Sequence, residues 1–175
     1  LKNLFTTAAC CAAFFPAFAS ADAFGTVGLS LNGETQTWYT IANSSGADLS
    51  ATATFTNNSS LSSLSIQAHP EPAYSAEKVL SLTLTYYGAY ETGKNPISTE
   101  VVYLTEGVRN PFYTSDGVAA TPNVSIEILE DGENPGRVTG QFAAKICLLK
   151  ELSGEPDPND CKDISGRFDT GILIQ

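Results

Sequence analysis

Val138-Thr139-Gly140-Gln141-Phe142-Ala143-Ala144-Lys145-Ile146-Cys147-Leu148 is followed, after a short polar link, by Ile164-Ser165-Gly166-Arg167-Phe168-Asp169-Thr170-Gly171-Ile172-Leu173-Ile174. Both stretches carry Gly-x-Phe in an alternating frame, and Cys147 and Cys161 fall between the two phenylalanines. Opposed residue numbers in an antiparallel pair have a constant sum, so joining Cys147 to Cys161 sets the whole register. That register places Gly140 opposite Phe168, Phe142 opposite Gly166 and Lys145 opposite Asp163. Each ring then lies over the bare backbone of a glycine across the strand. Three features thus agree on one C-terminal hairpin. Val138, Phe142, Ala144, Ile146 and Leu148 share its core face with Ile164, Phe168, Ile172 and Ile174. Thr139, Gln141, Lys145, Arg167 and Asp169 take the polar face, where the disulfide also lies. Gly140, Gly166 and Gly171 are the places for a bulge.

Period two continues along the rest of the chain. Strands are expected at Phe24 to Leu31, Thr35 to Ala42, Leu49 to Thr56, Leu61 to Ala68, Val79 to Tyr87, Thr99 to Thr105, Val124 to Glu130, Arg137 to Leu149 and Asp163 to Ile174. Leu49, Ala51, Ala53 and Phe55 alternate with Ser50, Thr52, Thr54 and Thr56, and Leu80, Leu82, Leu84 and Tyr86 repeat the pattern. At most one helical turn is expected, near Ser75 to Lys78. Short strands rich in serine and threonine, with frequent turns, make the chain all-β. They predict a single antiparallel β-sandwich, with a closed calycin-like β-barrel as the alternative.

The opening hairpin turns at Asn32-Gly33. A two-residue loop pairs Leu31 with Glu34 and Val27 with Trp38, whereas a three-residue loop with a bulge pairs Leu31 with Thr35. The second collects Val27, Leu29, Leu31, Tyr39 and Ile41 on one face and is the expectation. Three long connections remain. His69 to Ala76 holds Pro70 and Pro72 and should run extended, Gly88 to Ser98 carries Tyr90, and Glu106 to Asn123 exceeds the usual loop length. Long loops on a rigid scaffold are where recognition residues gather.

Leu1 to Ala21 reads as a secretory signal peptide, with Lys2, an apolar run from Ala8 to Phe18, and small residues at Ala17, Ala19 and Ala21 for cleavage. Its apolar run is too short to span a membrane, which needs about twenty residues. Cys10 lacks the branched apolar residue three positions before it that a lipoprotein signal would carry, Thr7 standing there instead. The chain begins with Leu and has no methionine, which fits a bacterial precursor written from an alternative start codon or a trimmed record. The remainder, residues 22–175, is expected to be one β-domain in the periplasm or the medium. Only Cys147 and Cys161 lie in it, and an oxidising compartment joins them. Net charge is −10, and −11 once Lys2 leaves with the leader. Scattered Lys and Arg exclude nucleic acid and disfavour anionic membrane surfaces, and the acidity favours solubility.

Catalytic constellations meet ordinary explanations. His69 is the only histidine, and it would have to be the base of any Ser-His-Asp hydrolase, yet no Gly-x-Ser-x-Gly elbow accompanies it. Glu127, Glu130, Asp131 and Glu133 form the densest acidic group, but Asp131-Gly132-Glu133-Asn134-Pro135-Gly136 is written in turn residues. Glu155, Asp157, Asn159, Asp160 and Asp163 crowd the loop under the disulfide and offer oxygen ligands to calcium. Their spacing does not fit the helix-loop-helix calcium pattern, and Pro156 and Pro158 stiffen the backbone. No catalytic residue, metal ligand or cofactor site is assigned.

Trp38-Tyr39-Thr40-Ile41-Ala42, preceded by Thr37, resembles the first strand of the lipocalins, which opens Gly-x-Trp-Tyr-x-Ile-Ala. Gln36 stands where that family has its glycine, the Asn32-Gly33 hairpin takes the place of its short helix, and no Thr-Asp-Tyr or late arginine motif follows. The resemblance implies a closed barrel that carries a small apolar ligand. The residues themselves point first to a non-enzymatic binding or structural module. Its candidate binding loops are 88–98 and 106–123, with Tyr87, Tyr90, Arg109, Phe112 and Tyr113 as candidate contacts, because aromatics at strand ends stack on sugars or anchor partners. The expected partner is a protein, a glycan or a small apolar ligand. A small extracellular hydrolase is the remaining alternative.

Overall fold

The computed structural model describes residues 22–45, 48–107 and 111–175. The expected signal peptide, residues 1–21, and the candidate contact Arg109 lie outside them. The C-terminal hairpin has the register set by its cysteines. Gly140 pairs with Phe168, Phe142 with Gly166, Lys145 with Asp163 and Cys147 with Cys161, and the cysteines are joined. A Cβ on Gly140 would stand 2.5 Å from Phe168 Cζ, and one on Gly166 would stand 2.8 Å from Phe142 Cε1. The rings therefore occupy the space that side chains would take. Val138, Phe142, Ile146, Ile164, Phe168 and Ile172 are buried on the inner face, as the alternation requires.

Eleven strands form one hydrogen-bonded sheet, and no helix occurs among the described residues. In chain order they are β1 (Asp22–Leu31), β2 (Glu34–Ser45), β3 (Asp48–Ala51), β4 (Ala53–Thr56), β5 (Leu61–Ala68), β6 (Val79–Tyr87), β7 (Ser98–Leu104), β8 (Phe112–Thr114), β9 (Asn123–Glu130), β10 (Gly136–Leu149) and β11 (Asp157–Ile174). Pairing runs from β11 through β4, β5, β6, β7, β8 and β10 and returns to β11, so the hydrogen bonds make a ring. β1, β2 and β3 extend from β11, and β9 covers the outer edge of β10. The pairings are antiparallel except for a two-residue parallel contact, Leu173 with Thr54 and Ile174 with Phe55.

Three local expectations need correction. The first hairpin has the two-residue loop, with Leu31 opposite Glu34 and Val27 opposite Trp38. Asn32 and Gly33 both have positive φ, 51° and 87°, the mirror-image turn whose twist matches paired strands. This puts Trp38, only 2% exposed, into the core beside Val27 and Leu29, a larger apolar gain than the bulged register offers. The strand expected over Leu49 to Thr56 breaks at Thr52, because β3 pairs with β2 while β4 pairs with β5. Thr52 makes the corner: its hydroxyl accepts the Ile41 N–H at 2.8 Å, and its carbonyl accepts the Gln67 N–H at 2.7 Å. Finally, the long connection after Glu106 contains the short strand β8, paired to both β7 and β10.

Phe55, Leu64, Ile66, Leu82, Leu84 and Tyr86 meet Val27, Leu29 and Trp38 in one apolar cluster. Trp38 reaches across to Tyr103 at 5.9 Å between ring centroids, and Tyr103 stacks on Tyr113 at 6.5 Å. Two buried hydroxyls, Thr40 and Thr170, bond to each other at 2.5 Å within this core.

Candidate functional site

The candidate aromatics do not gather on one surface. Tyr87 is 75% exposed at the end of β6, where it faces Leu61 across the strand. Tyr90 instead turns inward, with its ring 4.9 Å from Tyr86 and 6.0 Å from Phe55 between centroids. Tyr113 is 8% exposed; its hydroxyl donates to Asp160 Oδ1 at 3.0 Å, and Lys162 Nζ lies 4.4 Å from its ring centre. Burial raises the Tyr90 phenol above its ordinary pKa, consistent with a packing role. Tyr87 and Phe112 sit at opposite ends of the β6–β7 pair. The Val79–Leu104 and Thr85–Ser98 pairings mark those ends, about 20 Å apart at the rise of a strand. Tyr87 and Phe112 therefore belong to two separate surfaces, while the later part of the second loop returns alongside Val101.

The second surface holds a groove of about 880 Å³ on the outer face of the sheet. One wall is the arm 115–120 that leaves β8, the other is the disulfide loop 151–158, and the floor is Phe112, Thr114, Lys145, Leu149 and the Cys147–Cys161 bridge. The arm is held in place locally. Ser115 N–H donates to the Val101 carbonyl at 2.9 Å, its hydroxyl accepts the Val101 N–H at 2.9 Å, and Asp116 N–H donates to Thr114 Oγ1 at 3.0 Å. At Gly117, φ is +73°, and a Cβ there would stand 3.2 Å from Pro156 Cδ. Glycine lets arm and loop close on each other.

The loop is fixed by the disulfide and by Lys150 donating to Asp157 at 3.0 Å. That bond, with the Asn159 N–H on the same carboxylate, holds the Asp157 carboxyl below its ordinary range. Asp160 is engaged by Tyr113. Among the described residues no three His, Cys, Asp or Glu side chains converge on a metal position. Val118, Ala119, Ala120, Leu152, Pro156 and Pro158 line the groove, and Leu152 is 78% exposed. Glu100, Asp116 and Glu155 set acidic charge around it against Lys145. Of the sequence candidates, Phe112, the later part of loop 106–123, Glu155 and the disulfide belong here, and Tyr87, Tyr90 and Tyr113 do not. Leu152, a lone leucine within Lys150-Glu151-Leu152-Ser153-Gly154, was the available signal for the rest.

The remaining catalytic candidates occupy structural places. Glu127 pairs with Arg167 at 2.6 Å on the outer face of the sheet, and Asp131 accepts from Asn57 at 3.0 Å. His69 is buried beneath the 70–78 loop, and neither ring nitrogen meets a hydrogen-bond partner. Ser75 and Ser81 line the same pocket, but neither hydroxyl is bonded to the ring, as a nucleophile and its base would be. In the segment Thr37 to Ala42 that carries the sequence resemblance, the Trp38 indole N–H donates to the preceding Gln36 Oε1 at 3.0 Å, which satisfies the tryptophan's polar end. No protein-family model matches the chain, and no curated protein or solved structure matches it.

Proposed function

We propose that this protein is a non-enzymatic binding module, exported to the periplasm or the medium, that holds an extended segment of a protein partner in the groove beside its disulfide. The observation that carries this reading is the pairing of a disulfide-braced loop with a highly exposed leucine at its tip. Leu152 is 78% exposed, and with Val118, Ala119, Ala120, Pro156 and Pro158 it makes one contiguous apolar lining rather than a singly scattered residue, the kind of surface that marks an interaction site. The aliphatic and proline lining suits apolar side chains better than sugars, which need exposed aromatic faces, and Phe112 is the one aromatic along the groove. Glu100, Asp116 and Glu155, on a chain of net charge −10, favour a segment that is also basic. The single apolar cluster that occupies the interior supports this surface reading over carriage of an apolar ligand inside the sheet.

The test is a thermal-shift titration with a peptide of alternating leucine and lysine. Its comparators are a leucine and glutamate peptide, a linear glucan, a fatty acid and calcium. The leucine and lysine peptide should raise Tm by mass action. In Leu152→Ser its Kd should rise about tenfold, the equivalent of losing one buried leucine. A shift with calcium, glucan or fatty acid alone, or a peptide shift untouched in Leu152→Ser, would overturn the reading.

A further inference from the structure

The loop 70–78 folds back over the outer face of β5, β6 and β7. Lys78, at φ +53°, turns the chain into β6, and its N–H donates to the Thr105 carbonyl at 3.2 Å. Beneath the loop lies a pocket of about 450 Å³ walled by Val79, Val102, Leu104 and Phe112. His69 lines it, 3% exposed, with both ring nitrogens buried and unpartnered. Outward-facing strand positions are normally wet, so an apolar pocket with one buried base on that face is a departure from the rest of the sheet. Buried polar groups are satisfied almost without exception, and the space His69 faces is this pocket, whose other uncharged polar lining is Gln67, Ser75 and Ser81, none of them bonded to the ring.

The chemistry of the lining narrows what fits. Burial lowers the His69 pKa from its ordinary 6.5, so the imidazole is neutral near pH 7 and offers one donor and one acceptor. Glu100 is the only charged side chain among the described lining residues, which disfavours an anion. A cation that only donates could meet the acceptor nitrogen of His69 but would leave its ring N–H unpaired. A hydroxyl both donates and accepts, and the apolar walls suit a compact hydrocarbon body. We infer that the pocket under the 70–78 loop binds an uncharged molecule with a hydroxyl head on an apolar, ring-sized body, the hydroxyl bonding to His69. This site stands apart from the groove occupant proposed above, although Glu100 and Phe112 border both spaces.

Because His69 is the only histidine, its ring nitrogens give unambiguous signals in long-range ¹H–¹⁵N correlation spectra. The probe is p-cresol, compared with toluene, 4-methylbenzoate and N-acetyltyrosine amide. We expect p-cresol to shift the His69 ring signals saturably, toluene to bind about tenfold more weakly for want of one hydrogen bond to a buried group, and 4-methylbenzoate to leave them in place. Val102→Trp, which fills the pocket from the strand, should abolish the shift while the amide spectrum stays dispersed. Saturable binding of N-acetyltyrosine amide more tightly than p-cresol would assign the same chemistry to a tyrosine side chain rather than a free phenol. Equal binding of toluene and p-cresol, unmoved ring signals up to the solubility of p-cresol, or an undiminished shift in Val102→Trp would overturn the inference.

Discussion

At the residue scale, two glycines and a histidine carry the most distinct expectations. Gly140 and Gly166 are held open by Phe168 and Phe142. In Gly140→Val the new side chain enters the space of a buried ring, and we expect a loss of about 1–3 kcal/mol by overpacking, read from urea unfolding. An unchanged midpoint would contradict the facing of ring and glycine. His69 gives a pH signature. Its folded pKa lies below the unfolded 6.5 through burial, so the unfolded chain takes up the proton first. Its contribution is therefore complete above pH 6.5 and is lost as pH falls from there toward the folded value. Asp157 and Asp169 are lowered from 3.8, and their contribution fades only below that value. Tm should accordingly fall as the pH drops below 6.5 in the wild type, and His69→Phe should lack that slope. Parallel pH profiles for the two would rule this out. Glycine, ring and cysteine were legible in the sequence because each has its reason directly across the strand. The burial of His69 was not, since its cover comes from a loop and from strands whose proximity no local pattern encodes.

At the scale of elements, strand positions followed from alternation, and the departures arose where a strand changes partner. β5 and β6 begin and end where the sequence places them. The break at Thr52 went unseen because side-chain period does not record which neighbour a strand is bonded to. β8 went unseen because three residues, Phe112–Thr114, are too few for a period. At the first hairpin the apolar count per face favours the bulged register, and the tight turn in which Asn32 and Gly33 both take positive φ outweighs it. Gly33→Ala should therefore cost about 1 kcal/mol, through a backbone conformation alanine resists, and chemical denaturation would measure it. Removing the staple in the double variant Cys147→Ser, Cys161→Ser should cost about 3 kcal/mol. The hairpin register should survive, held by the two ring and glycine pairs, while binding of the leucine and lysine peptide should weaken as the 151–158 wall loosens. Peptide affinity equal to wild type in that variant would show that the bridge does not shape the groove.

At the scale of the whole molecule, the ring of hydrogen bonds brings together residues that the chain keeps far apart. Glu100, Phe112, Val118, Leu149 and Pro156 border one groove, yet they come from β7, β8, the arm after it, β10 and the disulfide loop. Sequence reading could nominate long loops as binding sites, but which loops share a surface depends on topology. Tyr87 and Phe112 lie at opposite ends of the β6–β7 pair, so they cannot close on one small ligand. Each end has its own exposed apolar residues: Leu61, Tyr87 and Ile97 at one, Leu152 at the other. The proposed function depends on the second end being the one that binds. The most direct measurement is an amide chemical-shift map recorded while the leucine and lysine peptide is titrated into the uniformly labelled protein. The account predicts saturable shifts at Val118, Ala119, Ala120, Leu149, Leu152 and Cys161, with the opposite end unmoved. Shifts centred instead on Leu61, Tyr87 and Ile97, with the groove silent, would contradict it.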